Sequence, residues 1–262
     1  MLKKIIALSL ALIMASFCLV ACGSQKLTVE SVQSAGKLVI GTSPDFPPFE
    51  FLDADGNVVG IEIEIMQLIC QELGVELEIK QMDFDSVLPG VQTGKFNVGV
   101  SGISVTPERE KNTLFTVPYC LAAQAIVVTS DSTIASKADL AGKTVSVQTG
   151  TTAEEFCMSN GYTVKAFAAN ADAETALTVG KVDAWVIDDL TAAEMVAAYN
   201  EDHPDAPLVI LDEAMTTEPY AFAFAQGNED LVNKINEILE GLLADGTIAS
   251  IFAQNNAPYT AP

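Results

Sequence analysis

Residues 97–109 read Asn-Val-Gly-Val-Ser-Gly-Ile-Ser-Val-Thr-Pro-Glu-Arg, and the handover inside that stretch points to the fold. Positions 97–100 have the composition of a short buried strand. They pass without a linker into the small and hydroxylated residues Ser101, Gly102 and Ser104, and the run closes on Arg109, the only arginine in the chain. In open α/β sheets, ligands lie beyond the carboxyl ends of strands, so chemistry placed directly after a strand predicts that class. A guanidinium is a rigid fork of donors that matches a carboxylate, and nearby hydroxyl and N–H groups would complete an anion cradle. The plain alternative is a surface arginine in a first helical turn after Thr106-Pro107, paired with Glu108 or Glu110.

The same pattern extends in both directions. Strand-like runs at 38–41, 77–80, 144–147, 164–167 and 183–187 alternate with helix-like stretches at 61–73, 86–93, 152–159, 173–179, 190–199 and 231–243. Such alternation predicts α/β lobes with largely parallel sheets. A mature chain of about 240 residues exceeds one ordinary core, so two lobes are expected. No internal repeat is visible. After 38–41 comes the turn-rich run from Thr42 to Phe51, which includes Asp45 and Phe46. After 144–147 comes Gln148-Thr-Gly-Thr-Thr152, a glycine-bearing turn into a helix whose N-terminus suits an anionic group. Asp188-Asp189 follows the strand-like run that ends at 187, and Asp188 there suits an ammonium. Thr152, Asp188 and Asp189 would each serve equally as ordinary N-caps. Their appearance together with Arg109 favours a zwitterionic ligand, with its carboxylate held from one side and its ammonium from the other.

Composition narrows the partners. The formal charge is −22. Such a field repels polyanions and excludes nucleic acid as a partner. Lys3-Lys4, an apolar run at 5–12 and Leu19-Val-Ala-Cys22 have the layout of a secretory signal covering residues 1–21. The Cys22 environment resembles a bacterial lipobox, which implies lipidation of Cys22 and a tethered leader, 22–30, whose polar character runs on to Ser34. Ser9, Ser16 and Cys18 interrupt the apolar stretch and argue against a membrane-spanning helix. Cys70, Cys120 and Cys157 have no ligand-like spacing, so no zinc site is expected, and buried free thiols are the default. Asp53-Ala-Asp-Gly-Asn57 mimics part of a calcium loop, but Val58 stands where that loop needs glycine, and a turn between short strands explains it better. Gly142-Lys-Thr144 lacks the first glycine of a phosphate loop, and His203 lies in a polar loop away from any nucleophile. No metal and no cofactor are expected.

Six segments carry a resemblance across nearly the whole mature chain: GTSPDFPPFEF (41–51), VVGIEIEIMQLICQELG (58–74), VSGISVTPERE (100–110), LAGKTVSVQTGTT (140–152), GKVDAWVIDD (180–189) and EPYAFAF (218–224). Together they resemble the family 3, polar amino-acid-binding, substrate-binding lipoproteins of ABC importers. The resemblance implies a two-lobed periplasmic-binding-protein-like α/β fold, with lobe 1 formed by 31–121 and 222–262 and lobe 2 by 125–215. Two crossovers, 121–127 and 219–225, would act as hinges. It implies that Arg109 grips an α-carboxylate, that Ser101, Gly102 and Ser104 line that carboxylate and the amine, and that Thr152 donates from the second lobe. Asp188 would receive the α-ammonium, and Phe46 and Phe84 would wall the ligand side chain. Phe49 and Phe51 read as core. Relatives that hold basic amino acids often carry an acid at the position of Ser43; Asp45 is the substitute here, or else a turn residue, so a polar or cationic ligand is preferred.

The implied role is that of a non-enzymatic receptor. It would capture a free amino acid outside the cytoplasm as a lipid-anchored monomer and deliver it to an ABC permease. Two alternatives share the fold: a secreted cyclohexadienyl-dehydratase-like enzyme, which needs a cleft acid poised for proton transfer, and a surface adhesin or sensor.

Overall fold

The computed structural model describes residues 26–262; the signal segment 1–21, Cys22 and the start of the leader lie outside the described residues. The chain opens with helix α1 (Val29–Ala35), capped by Thr28, whose side chain accepts from the Ser31 amide, and closed by Gly36 at φ 70°. Leu27 N–H donates to Asn228 Oδ1 at 2.8 Å and Val29 N–H to Asp230 Oδ2 at 2.9 Å, so this segment is docked rather than loose. A seven-residue helix burying only Val32 leaves no apolar periodicity to read.

From there the chain builds β1 (Lys37–Thr42), a three-strand meander β2 (Asp45–Phe46), β3 (Glu50–Leu52) and β4 (Val58–Val59), then α2 (Ile61–Leu73), β5 (Glu76–Gln81), α3 (Val87–Gln92), β6 (Val98–Gly99) and β7 (Thr113–Phe115). It crosses over through β8 (Cys120–Ala122) into β9 (Gln124–Thr129). The second lobe holds β10 (Thr144–Gln148), α4 (Thr152–Ser159), β11 (Thr163–Phe167), α5 (Asn170–Thr178), β12 (Ala184–Asp188), α6 (Asp189–Asp202) and β13 (Leu208–Ile210). Return is through β14 (Glu218–Tyr220) to β15 (Ala223–Ala225), followed by α7 (Glu229–Ala244) and α8 (Thr247–Gln254).

Two five-stranded sheets organise the lobes, in the orders β5-β1-β6-β15-β7 and β11-β10-β12-β9-β13. Leu38 and Ile40 of β1 are fully buried, and β1 pairs in parallel with β5 and β6; β10 does the same with β11 and β12. Both sheets are nonetheless mixed rather than largely parallel. β15 runs antiparallel between β6 and β7, and β9 antiparallel between β12 and β13. The cause is topological: β9 and β15 are the strands that arrive from the opposite lobe, so their direction is set by the crossover and not by a βαβ unit. The crossovers lie side by side, with Cys120 opposite Tyr220 and Ala122 opposite Glu218.

The helices follow the apolar spacing that predicts them. α2 buries Ile61, Ile65, Met66, Ile69 and Leu73 and ends on Gly74 at φ 70°, while α7 buries Leu231, Val232, Ile235 and Leu239. Phe49 is fully buried, as expected for core. Phe51 is not: it is half-exposed on the outer meander, and the adjacent Glu50 is the side chain turned fully inward. The Asp53–Asn57 run is the expected turn, with Asp53 Oδ1 accepting from the amides of Asp55 and Asn57 between β3 and β4. Cys70, Cys120 and Cys157 are free and buried, and no described helix is long and apolar enough to cross a membrane.

Candidate functional site

The loops after the strand ends meet between the lobes around a small cavity. Asp45, Phe46, Phe84, Ser101, Gly102, Ser104, Arg109, Thr152 and Asp188 all line it. Gln148 and Thr151 line it as well.

Arg109 begins a short 3₁₀ turn, Arg109–Lys111. The ion pair in that turn belongs to Lys111 and Glu108, which leaves Arg109 turned inward. Its guanidinium donates from Nη1 to the Ser104 carbonyl at 2.9 Å and from Nη2 across the cleft to the Gly150 carbonyl at 3.2 Å. It also lies over the Phe84 ring, 5.9 Å from the centroid. No carboxylate among the described residues forms an ion pair with it. Burial pulls its pKa below the ordinary value, against the opposing fields of Glu218, Asp188 and Glu155.

Asp188 ends β12 on the second lobe. It stands at the N-cap position of α6 but makes no capping bond. Asp189 has the structural work instead, accepting from the amides of Ala123 and Leu190. Tyr220 OH donates to Asp188 Oδ2 at 2.6 Å, while Oδ1 is buried with no hydrogen-bond partner among the described residues. Burial, with the field of Glu218 next, pushes this carboxyl up to about 8, although the Tyr220 hydrogen bond favours the ionised form.

Thr151, not Thr152, is the N-cap of α4: its hydroxyl accepts from the Glu154 amide at 3.2 Å. Thr152 Oγ1 accepts from the buried Gln124 at 2.9 Å, which leaves its own hydroxyl proton free to donate. Gly102 has φ +52°, and a Cβ there would meet Phe46 Cε1 at 2.5 Å, so only glycine lets the backbone approach that ring. Phe46 is stacked on Phe49 at 5.6 Å and forms an apolar wall.

Asp45 lines the cavity, but its oxygens are engaged elsewhere. Ser43 Oγ donates to Oδ1 at 2.9 Å, Gln148 Nε2 donates to Oδ2 at 3.0 Å, and the Asn170 amide at the start of α5 donates to Oδ2 at 2.9 Å. Two of those three donors belong to the opposite lobe. Together with the Arg109–Gly150 bond they hold the cleft closed.

Sequence reading placed Thr151 beside Thr152 at the anion-suited helix N-terminus, but it missed Gln148, Gln124, Glu218 and Tyr220. Gln148 follows directly on the strand-like run 144–147 and is reachable by the rule that finds Asp188. Glu218 and Tyr220 sit in the quoted EPYAFAF segment, but nothing in their spacing shows that the crossover strand brings them beside Asp188.

The model of the bacterial extracellular solute-binding proteins, family 3, matches residues 38–256. The chain belongs to that family. Similar family members include the L-cystine-binding protein TcyJ of Escherichia coli K12, 30% identical over 85% of this chain and 84% of its own. The arginine-binding extracellular protein ArtP of Bacillus subtilis is 33% identical over 90% of this chain and 91% of its own. Among solved structures of the fold, a mutant of ArgBP from T. maritima aligns with a TM-score of 0.79 at 38% identity, covering 87% of this chain and 98% of that one. These family relatives share the two-lobed architecture, and the matched span includes both strand-end clusters that meet at the cavity.

Proposed function

We propose that this chain is an extracytoplasmic receptor that closes on a free amino acid and delivers it to an ABC permease. One observation carries the reading. Arg109 of the first lobe, whose guanidinium has no carboxylate partner among the described residues, and Asp188 of the second, whose buried Oδ1 has no donor among them, line the same small cavity. An unpaired guanidinium and an orphaned buried carboxyl oxygen each cost free energy. A zwitterion satisfies both, its carboxylate on Arg109 and the Thr152 hydroxyl, its ammonium on Asp188.

Phe46 and Phe84 then sandwich the ligand side chain. The acids whose fields reach Arg109 in the cleft, Glu155 and Glu218, favour a polar or cationic side chain. Relatives named for cystine and for arginine agree with that class. Residues 31–121 with 222–262 form one lobe and 125–215 the other, and opening pivots on the paired crossovers β8 and β14. The chain works as a monomer tethered through lipid on Cys22. Ligand is held by charge pairing and released unchanged, so no catalytic role is assigned to any residue.

The test is a thermal-stability screen of the chain from Gly23 onward against the twenty amino acids and cystine. A ligand specific for the folded state raises the melting temperature by mass action. A screen in which none of them does so overturns the proposal.

A further inference from the structure

Behind the cavity floor lies a pair of carboxyl groups that ligand contact does not use. Glu50 of β3 and Glu62 of α2 are both completely buried, and their side chains hydrogen-bond each other. Two ionised carboxylates cannot share such a contact. Glu62 already accepts twice, from the Gly102 amide at 3.0 Å on Oε2 and from Tyr119 OH at 2.6 Å on Oε1. Glu50 Oε1 accepts from Ser101 Oγ at 2.8 Å, and Ser101 Oγ in turn accepts from the Ser43 amide at 3.1 Å. Glu50 Oε2 is buried with no hydrogen-bond donor among the described residues.

We infer that Glu50 is a neutral carboxylic acid donating to an ionised Glu62, and that this shared proton positions Ser101 and Gly102 at the floor of the amino-acid site. The inference rests, for its effect on affinity, on the amino-acid reading of the cleft. The Ser101 hydroxyl proton is then committed to Glu50, so Ser101 presents only an acceptor to the ligand. Gly102, held by Glu62, keeps its left-handed backbone against Phe46.

The electrical surroundings agree. Burial first and the field of Glu62 next raise Glu50 well above the usual carboxylate range, and Asp45 on the same segment adds to this. Burial also raises Glu62, while Tyr119 and Gly102 favour its anion. Tyr119 itself is pushed up by burial and by Glu62, so it stays a donor. Cys120, whose thiol burial and Glu62 raise, adds no charge. Glu50 as the acid and Glu62 as the anion leave the pair with one proton.

Three measurements decide it. The infrared difference spectrum of wild type minus Glu50→Gln, taken near neutral pH without ligand, shows the carbonyl band of a protonated carboxyl; its absence overturns the proton assignment. Hydrogen exchange at the Gly102 amide is at least tenfold faster in Glu50→Ala and returns toward wild type in Glu50→Gln, whose amide donates to Glu62 and accepts from Ser101. Equal protection in all three overturns the positioning role. Calorimetry with L-arginine, L-glutamine and L-cystine shows the loss in Glu50→Ala at about tenfold or more, with Glu50→Gln restoring most of it. Affinity unchanged in Glu50→Ala overturns the link to binding. Should Glu50→Ala fail to fold, the infrared band and the Glu50→Gln exchange rate still decide the pair. Should wild type bind none of the three ligands, the amino-acid reading fails while the first two measurements stand on their own.

Discussion

Replacing Asp45 with alanine weakens every amino acid ligand by the same factor. The expectation follows from where its oxygens point. Gln148 and the first amide of α5 approach Asp45 from the opposite lobe at 3.0 and 2.9 Å, so the carboxylate spans the cleft instead of reaching into it. Opening breaks those bonds and returns the groups to water, so only the net value counts. A hydrogen bond to a charged group contributes about 1.5–3 kcal/mol net, and a carboxylate at a helix N-terminus roughly 0.3–1 kcal/mol. Because Asp45 is only half-buried, about 2 kcal/mol in favour of the closed form is a fair total, or a rise of roughly 30-fold in apparent Kd. The closed form is common to all ligands, so the shift is uniform. Titration calorimetry with neutral, cationic and anionic amino acids tests this, and a double-mutant cycle with Gln148→Ala should show coupling of about 1 kcal/mol. A loss confined to cationic ligands refutes the reasoning and makes Asp45 a receptor for the ligand side chain.

Three further outcomes follow from the same geometry. Arg109→Ala removes the only cation among the described residues that lines the cavity and lowers affinity for all α-amino acids by at least about 1.5–3 kcal/mol, with the ligand carboxylate left unpaired; unchanged calorimetric binding contradicts it. Asp188, pushed up to about 8, is mostly protonated at neutral pH, whereas an ammonium beside it favours the anion. Binding therefore releases a proton and tightens as pH climbs toward about 8, and Asp188→Asn is weak and flat over that window, read by calorimetry in buffers of different ionisation enthalpy. For ligand-free stability the sign is opposite: the contribution of this raised group is fully present below its unfolded value and is lost as pH rises through about 8. Gly102→Ala brings a methyl to 2.5 Å from the Phe46 ring at φ +52°, so it lowers stability by roughly 1–3 kcal/mol and reduces affinity; a melting curve identical to wild type contradicts it.

What was legible in the chain was whatever local physics encodes. The helices at 61–73 and 152–159 have the same ends in sequence and structure, because apolar spacing and a stop at Gly74, or a threonine start, leave little choice. The strand ends were legible for a related reason: a buried strand must stop where polar residues begin, and those residues are the ones the sheet delivers to its ligand edge. The threonine start still misled by one residue about the cap, since Thr151 and Thr152 are chemically equal and only the backbone angle separates them. Strand direction in β9 and β15 was not legible at all. It depends on which lobe the chain arrives from, and no residue in either strand carries that information.

The site shows the same division. Arg109 could be singled out because it is the one arginine in so acidic a chain and it closes a run of small and hydroxylated residues at a strand end. Asp188 and Asp189 had equal claims to the N-cap as neighbours in sequence, and those claims separate only when the crossovers bring in their partners: Ala123 takes Asp189, and Tyr220 takes Asp188. Asp45 shows that facing a cavity does not settle a residue's role. Its identity and position suggested a side-chain receptor, yet Gln148 and Asn170, more than a hundred residues away, claim its oxygens. Glu50 was misread most fully. Alternation placed Phe49 and Phe51 inside and Glu50 out, as it would for any strand with one wet face. The strand instead turns an acid into the core, which is tolerable because Glu62 meets it there, and that inversion put the buried carboxyl pair out of reach of any pattern in the sequence.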